Sequence, residues 1–250
     1  MGDSRRAIRY VVAAAAVGTA FATAGAAFAT TTSTATTGAP QTVALRYSFD
    51  AVTGGPVDES GFAHALSTVS SNGGTVQPIA HGTGHGLQFP ARCSGASCPK
   101  VVLQTASADD LNPGKTPFRY GATVLLAHDQ TSAGENVLQK GYSAAGGQYK
   151  LQIDGTAGRP SCVLVGTGKT RIHLARSAVT VADGAWHAVE CRREATALTV
   201  FVDGVPQGTA RIPADLSVHN TAPLSIGGKG AYRDNDQFQG ALDDVWYSKA

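Results

Sequence analysis

Charge is what this chain has least of. Only 15% of its 250 residues are Asp, Glu, Lys or Arg, against about 25% in an ordinary soluble domain. That scarcity excludes a charged disordered tail and a coiled coil laced with ion pairs. Helical periodicity is missing as well. Beyond the N-terminal segment no stretch of about 11 residues keeps a 3.6-residue apolar repeat, which excludes a long helical bundle. No self-similarity recurs at about 20 to 50 residues, so a propeller or solenoid is excluded too. What is abundant is glycine, 30 residues, with 11 prolines and a 42% hydrophobic share. Chain-bending residues in that number, with enough apolar side chains for a core, describe a turn-rich β domain.

The N-terminus carries one distinct segment. MGDSRRAIRY is basic, and the apolar run that follows ends in Ala27-Phe28-Ala29, an A-x-A cleavage pattern. Residues 1–29 therefore read as a secretion signal peptide. A membrane anchor is the competing reading, but the run is rich in Ala, Gly and Thr and no basic stop-transfer group follows. Ser4-Arg5-Arg6-Ala7-Ile8 partly resembles a twin-arginine signal, which leaves the export route open. Residues 30–41 are Thr-rich and polar, a linker that can bury no core. The folded domain is then 42–250. The formal net charge of +2 belongs to the signal, where Arg5, Arg6 and Arg9 face Asp3. Its removal leaves basic and acidic side chains equal in number. A neutral mature chain offers no electrostatic case for nucleic acid as partner, and after signal removal none for a membrane.

Four cysteines follow the signal: Cys93, Cys98, Cys162 and Cys191. An even count in an exported chain points to disulfides. Cys93 and Cys98 bracket a short loop that can close on itself, and Cys162 and Cys191 each sit in a strand-like run, so the expected pairs are 93–98 and 162–191. The spacing lacks the CxxC order of a zinc site.

Along 42–250, short alternating runs separate at Gly, Asp, Asn and Pro clusters. Val43, Leu45, Tyr47 and Phe49 share one face. Phe118 to Val124 and Gln148 to Ile153 alternate similarly. Leu198 to Val202 runs into Asp203-Gly204, a tight-turn signal, and pairs as a hairpin with Trp186 to Arg192. Roughly a dozen strands over about 210 residues imply two stacked antiparallel sheets, an all-β jelly-roll sandwich.

Six segments in order carry a resemblance. They are Asp110-Leu111-Asn112-Pro113-Gly114 leading into Phe118-Arg119-Tyr120-Gly121-Ala122; Asn136 to Gly141; Gly147 to Leu151; Asp183-Gly184-Ala185-Trp186-His187 with Cys191; Val200-Phe201-Val202-Asp203-Gly204; and Phe238-Gln239-Gly240-Ala241-Leu242-Asp243-Asp244-Val245. Together they resemble the concanavalin A-like lectin/glucanase superfamily, in its laminin-G-like branch found in secreted bacterial proteins, across 42–250. The resemblance implies that the last strand returns beside Tyr47-Ser48-Phe49-Asp50. It speaks for fold and not for ligand.

Glucanases of that superfamily use a Glu-x-Asp-x-x-Glu strand motif, whose two glutamates stand on one face as nucleophile and general acid, at the close separation retaining hydrolysis needs. The sequence has no such motif. Glu190/Glu194, Asp58/Glu59 and Asp234/Asp236 are its nearest spacings, and Gly-x-Ser-x-Gly is absent. No catalytic residue is assigned. His81-Gly82-Thr83-Gly84-His85 has two imidazoles four apart, but small intervening residues make it a turn before Gly86 to Phe89 rather than a helical zinc site. His187 reads as a packed or hydrogen-bonded sheet histidine. A structural calcium is the better metal candidate, with Asp50, Asp243 and Asp244 converging if the terminal strands pair. The plainer reading gives one aspartate to sheet-end backbone and the others to solvent, so no metal ligand and no cofactor is assigned. Asp234-Asn235-Asp236 lacks the Gly and distal Glu of an EF-hand, and Gly227-Gly228-Lys229-Gly230 lacks P-loop spacing.

The expectation is a secreted, non-catalytic, lectin-like module for a glycan or a cell-surface or extracellular protein. Its location is extracellular, with cell-wall association as one form. The alternatives are a glycoside hydrolase or lyase of the same fold, and a structural or adhesive cell-envelope protein. The ligand-binding residues stay unassigned. Tyr142, Tyr232, Trp246 and Tyr247 are the exposed aromatic candidates, and Trp186 is placed in the core.

Overall fold

Alternation of apolar and polar side chains sorts the strands onto two sheets. The computed structural model describes residues 40–51, 55–230 and 232–250. The readings of residues 1–29 as a signal and 30–39 as linker lie outside the described residues. In chain order the strands are β1 (Thr42–Tyr47), β2 (Ser67–Ser71), β3 (Gln77–His81), β4 (Gly84–Gln88), β5 (Lys100–Thr105), β6 (Phe118–Leu125), β7 (Glu135–Tyr142) and β8 (Gly146–Asp154). They continue as β9 (Arg159–Val165), β10 (Ile172–Arg176), β11 (Trp186–Glu194), β12 (Ala197–Val202), β13 (Val205–Arg211), β14 (Leu224–Ile226) and β15 (Ala241–Lys249). These fifteen strands exceed the dozen expected, because β2, β3 and β14 are too short or too polar to show a period.

One sheet has eight strands in the order β13-β12-β11-β6-β15-β4-β3, with β1 also paired to β15. The other has seven, in the order β10-β9-β8-β7-β14-β5-β2. The fold is a two-sheet antiparallel jelly roll. The first and last strands pair, Tyr47 opposite Val245 and Arg46 opposite Trp246. The β12–β13 turn is Asp203-Gly204 with φ of 51° and 76°, the double positive φ that a two-residue hairpin turn demands. The β11–β12 hairpin is tighter than expected: β11 runs on to Glu194, and only Ala195 and Thr196 turn the chain.

Between the sheets, Phe118 and Tyr120 of β6 and Tyr247 of β15 meet Tyr149 of β8. Their ring centroids lie 5.2–6.0 Å apart and all four residues are fully buried. Buried hydroxyls need partners: Tyr120 donates to the Lys150 carbonyl at 3.2 Å and Tyr149 to that of Leu111 at 3.1 Å. Tyr247 is therefore core, not an exposed aromatic. Cys162 on β9 and Cys191 on β11 are bonded, tying one sheet to the other, and Cys93–Cys98 closes the loop before β5. Two cations are interior as well. Lys140 Nζ donates to Ser107, Asn112 and Asn220, and burial pulls its pKa down to about 8. Arg193 donates to the carbonyls of Thr116 and Leu216.

Candidate functional site

Each sheet has one face turned away from the core, and the two outward faces differ. On β11, Val189, Cys191 and Arg193 point inward, so Trp186, Ala188, Glu190 and Arg192 point out. Arg119, Gly121 and Thr123 do the same on β6. Register joins them into rows. Trp246 lies opposite Gly121, which lies opposite Glu190, which lies opposite Phe201. Beside that row, Asp243 is opposite Thr123, and Thr123 is opposite Ala188.

Gly121 explains how Trp246 sits. A Cβ there would fall 3.2 Å from Cε2 and Cζ2 of the indole and 2.5 Å from the Val189 carbonyl, so only glycine lets the ring lie down on the sheet. Next to the ring is a shallow hollow of about 90 Å³ lined by Thr123, Ala188, Glu190, Gly204 and Trp246. Glu190 Oε1 accepts from Arg192 Nε at 2.9 Å, with Arg119 Nε at 4.0 Å. The Arg192 guanidinium in turn covers the Phe201 ring at 4.2 Å. The carboxylate is thus fixed at the edge of the hollow.

Trp186 stands on this same outward face, not in the core. Its ring stacks on His81 with centroids 4.1 Å apart and reaches over Gly86. His81 Nδ1 lies 2.5 Å from Asp243 Oδ2. Asp243 is nearly buried, and burial raises its pKa against the lowering effect of His81 and the Asp244 amide. Both tryptophans of the chain therefore flank the strip Asp243–Thr123–Ala188.

The other candidates fall elsewhere. Asp50 accepts the backbone N–H of His85 at 2.9 Å, and Asp244 accepts from Arg46 at 2.9 Å. With Asp243 held by His81, the three aspartates serve three different partners. Among the described residues no group of three His, Cys, Asp or Glu side chains is placed to hold a metal. His81 and His85 are not in a loop but on the two strands of a hairpin turning at Gly82 and Thr83. His187 bonds Asp203 at 2.8 Å and Asp183 at 3.1 Å. Burial opposes its charge, but those two carboxylates raise its pKa overall. Asp236 pairs with Lys229 at 2.6 Å. Tyr142 and Tyr232 are exposed, and the Tyr142 hydroxyl donates to the Lys229 carbonyl. From sequence Glu190 stands out only as half of a carboxylate pair, and nothing marks Gly121 or Thr123 as ligand-facing. The one signal for them is a glycine at an outward position of an otherwise alternating strand.

The outward face of the seven-stranded sheet is a different surface. One register row runs from Gln104 through Ser225 and Gln139 to Lys150. Gln104 donates to Ser225 at 2.9 Å, Asn136 to Gln139 at 2.7 Å, and Gln152 to Asp154 at 2.7 Å. Gln139 is only 2% exposed. Its amides and hydroxyls spend their hydrogen bonds on one another.

Fold and site together define a concanavalin A-like jelly roll with a tryptophan-bearing sheet face. The chain belongs to the concanavalin A-like lectin/glucanases superfamily, whose Laminin_G_3 model matches residues 122–250. No curated protein matches it. Among solved structures it is similar to domain 4 of AbnA, a GH43 extracellular arabinanase from Geobacillus stearothermophilus, in complex with arabinotriose. That likeness has a TM-score of 0.65 at 14% identity, over 84% of this chain and 93% of that one. It is also similar to the binding domain of Paraclostridial Mosquitocidal Protein 1 (TM-score 0.62, 12% identity, 82% of this chain and 48% of that). A third is the binding domain of Botulinum Neurotoxin DC in complex with SialylT (0.59, 9%, 82% and 47%). The chain spans about half the length of the two toxin structures. At these identities the likeness shows the fold alone.

Proposed function

We propose that the protein is an exported, non-catalytic glycan-binding module whose sugar ring rests on Trp246. The observation that carries this reading is the indole laid flat over Gly121 beside an open hollow. Sugar C–H faces stack on such rings. Thr123 and Glu190 bring a hydroxyl and a carboxylate to the same hollow for the sugar's hydroxyls. At this hollow, whose one charged lining residue is Glu190, the charge balance of the chain after signal removal favours an uncharged sugar. The arabinotriose bound to the arabinanase domain is in keeping with the choice of ligand class. Two disulfides and the signal-like residues 1–29 support an extracellular location.

The non-catalytic part of the proposal rests on the missing Glu-x-Asp-x-x-Glu motif and on the partners of the nearest pair. Glu190 and Glu194 both face the Arg119 guanidinium, at 4.0 and 3.5 Å, and Glu190 also accepts from Arg192. Paired carboxylates that hydrolyse glycosides instead face a shared space for the sugar between them. No calcium is needed for the stacking geometry. A glycan array with and without calcium, followed by titration of the best oligosaccharide into wild type and Trp246→Ala, tests the whole reading. Saturable binding that the variant loses supports it. Binding to no glycan, alongside recovery of one cell-wall protein by pull-down, would favour the adhesive-protein alternative instead.

A further inference from the structure

A cavity of about 360 Å³ lies between the β9–β10 turn and the segment that follows β13. It shares no residue with the Trp246 hollow. Its charged lining is mostly positive: Lys169 and Arg171 come from the turn, against the single acid Asp215. His173, 8% exposed, faces the Arg211 carbonyl through Nδ1 at 3.2 Å, which leaves Nε2 without a protein partner among the described residues. Pro213 and Leu216 supply an apolar wall.

Behind that wall is a second source of positive potential. Arg193 is 1% exposed and donates to the carbonyls of Leu216 and Ala214, in the very segment that lines the cavity. Its contacts are carbonyls, and among the described residues it forms no ion pair. A buried guanidinium without a carboxylate projects its charge into the nearest open space. The cavity walls are held in advance. The Thr167 amide donates to the Ser217 carbonyl at 2.8 Å, and the His219 amide donates to Thr167 Oγ1 at 2.8 Å. At Gly166 a Cβ would come within 3.3 Å of Lys169 and 3.5 Å of Leu216, so the bare backbone keeps the space open.

We infer that this cavity takes the oxyanion, carboxylate or sulfate, of an acidic saccharide. That the carrier is a sugar rests on the reading above; that the cavity takes an oxyanion does not. Lys169 and Arg171 ion-pair with the group, the apolar wall meets the ring, and Arg193 acts through the field without contact.

The test titrates the full chain with trigalacturonate, its methyl ester and a sulfated disaccharide, with backbone amide shifts as the map. The expected result is binding of at least one acid, with shifts at Thr167 and Ser217, and none of the ester at these amides. Lys169→Glu with Arg171→Glu should weaken that binding about tenfold or more, and so should a rise from about 0.05 to about 0.5 M salt. Both residues are exposed, and thermal unfolding of the variant checks that it folds. Trigalacturonate and the sulfated probe tell the two oxyanions apart. Trp246→Ala should leave acid binding unchanged, which separates this cavity from the hollow. Equal binding of acid and ester, no binding of either acid, or an unaffected double variant would overturn the inference.

Discussion

The two outward faces of this sandwich arise from the same pleat and do opposite things. On the seven-stranded sheet, Gln139, Ser225, Gln152 and Ser161 point outward and are still buried, and each bonds another polar side chain: Ser225 and Gln104, and Gln152 and Ser161, in register, and Gln139 and Asn136 along β7. On the eight-stranded sheet, Trp246, Thr123 and Glu190 point outward and stay half-exposed. Most polar groups of the first face already have partners, Asn136 Oδ1 being an exception, so a sugar there would have to displace existing hydrogen bonds for little net gain. The second carries a large apolar ring whose burial by a ligand is still to come. Stability should reside in one face and binding in the other.

The bluntest attack on that division cuts the bond joining the sheets. Cys162 and Cys191 are 29 residues apart, and closing such a loop stabilises by about 3 to 4 kcal/mol in the chain-entropy account. Cys162→Ser with Cys191→Ser should lower the melting temperature by roughly 10 °C. At temperatures where the variant stays folded, it should still bind sugar. Loss of binding with unchanged melting would break the division, because it would mean that the staple shapes the hollow and does not hold the fold.

Acid chemistry gives the next largest effect, and it acts on the seven-stranded side. Glu135 begins β7 fully buried. Burial pushes its pKa up to about 7, against the lowering effect of the Ser132 and Gln239 amides that it accepts. A carboxyl raised in the folded state favours folding while it is protonated. That contribution is complete below the unfolded value near 4.5 and disappears as pH rises through about 7. Glu135→Gln loses one of the two backbone N–H groups that the carboxyl accepts, at a pH-independent cost of about 1 to 2 kcal/mol. It also removes the ionisation penalty, so relative to wild type it should be up to about 3 kcal/mol better at pH 8 than at pH 4. Urea unfolding at the two pH values reads this difference directly. A variant with the same stability difference from wild type at both would mean that the effect is not one of ionisation.

Trp246→Ala comes next and tests the other face. Loss of the stacking surface should cost about 2 to 3 kcal/mol of binding, roughly thirty- to a hundredfold in Kd, with the melting temperature close to that of wild type. A large fall in stability instead would move Trp246 from the ligand to the fold.

How far these faces can be read from sequence depends on bulges. The alternation of Leu45, Tyr47 and Phe49, the Asp203-Gly204 turn and the return of the last strand beside the first are local patterns, and they define the jelly roll; Val43, expected on the same face as Leu45, is instead 43% exposed, because the register shifts between the two. The side of the sheet on which each aromatic falls is not local. Strict alternation from the buried Leu242 would send 244 and 246 inward. The register shift between Asp243 and Trp246, with Asp244 at a φ of 43°, inserts one residue and reverses the assignment. Tyr247 turns into the core and Trp246 out of it. A large apolar side chain such as Trp186 is expected in the core, yet it sits at the first residue of β11 with Gly86 beneath it, where nothing in its own strand reveals the neighbour. The polar row on the other sheet needs the registers of β5, β14, β7 and β8 at once, and these come from distant parts of the chain.

The smallest effect is the sharpest comparison. Gln139 accepts from Asn136 and donates to the Gly141 carbonyl at 2.8 Å, all in a buried setting. Gln139→Ala removes both bonds and leaves the Asn136 amide without its acceptor, at a cost of about 1 to 2 kcal/mol. Because the residue faces outward, a purely topological view would expect it to serve a ligand, as Trp246 does. The hydrogen-bond pattern says otherwise. The variant should melt a few degrees lower, with sugar affinity within about twofold of wild type, a shift worth under ~0.5 kcal/mol. If affinity instead falls as it does for Trp246→Ala while melting is unchanged, the sugar lies on the seven-stranded face, and the roles of the two faces are the reverse of those argued here.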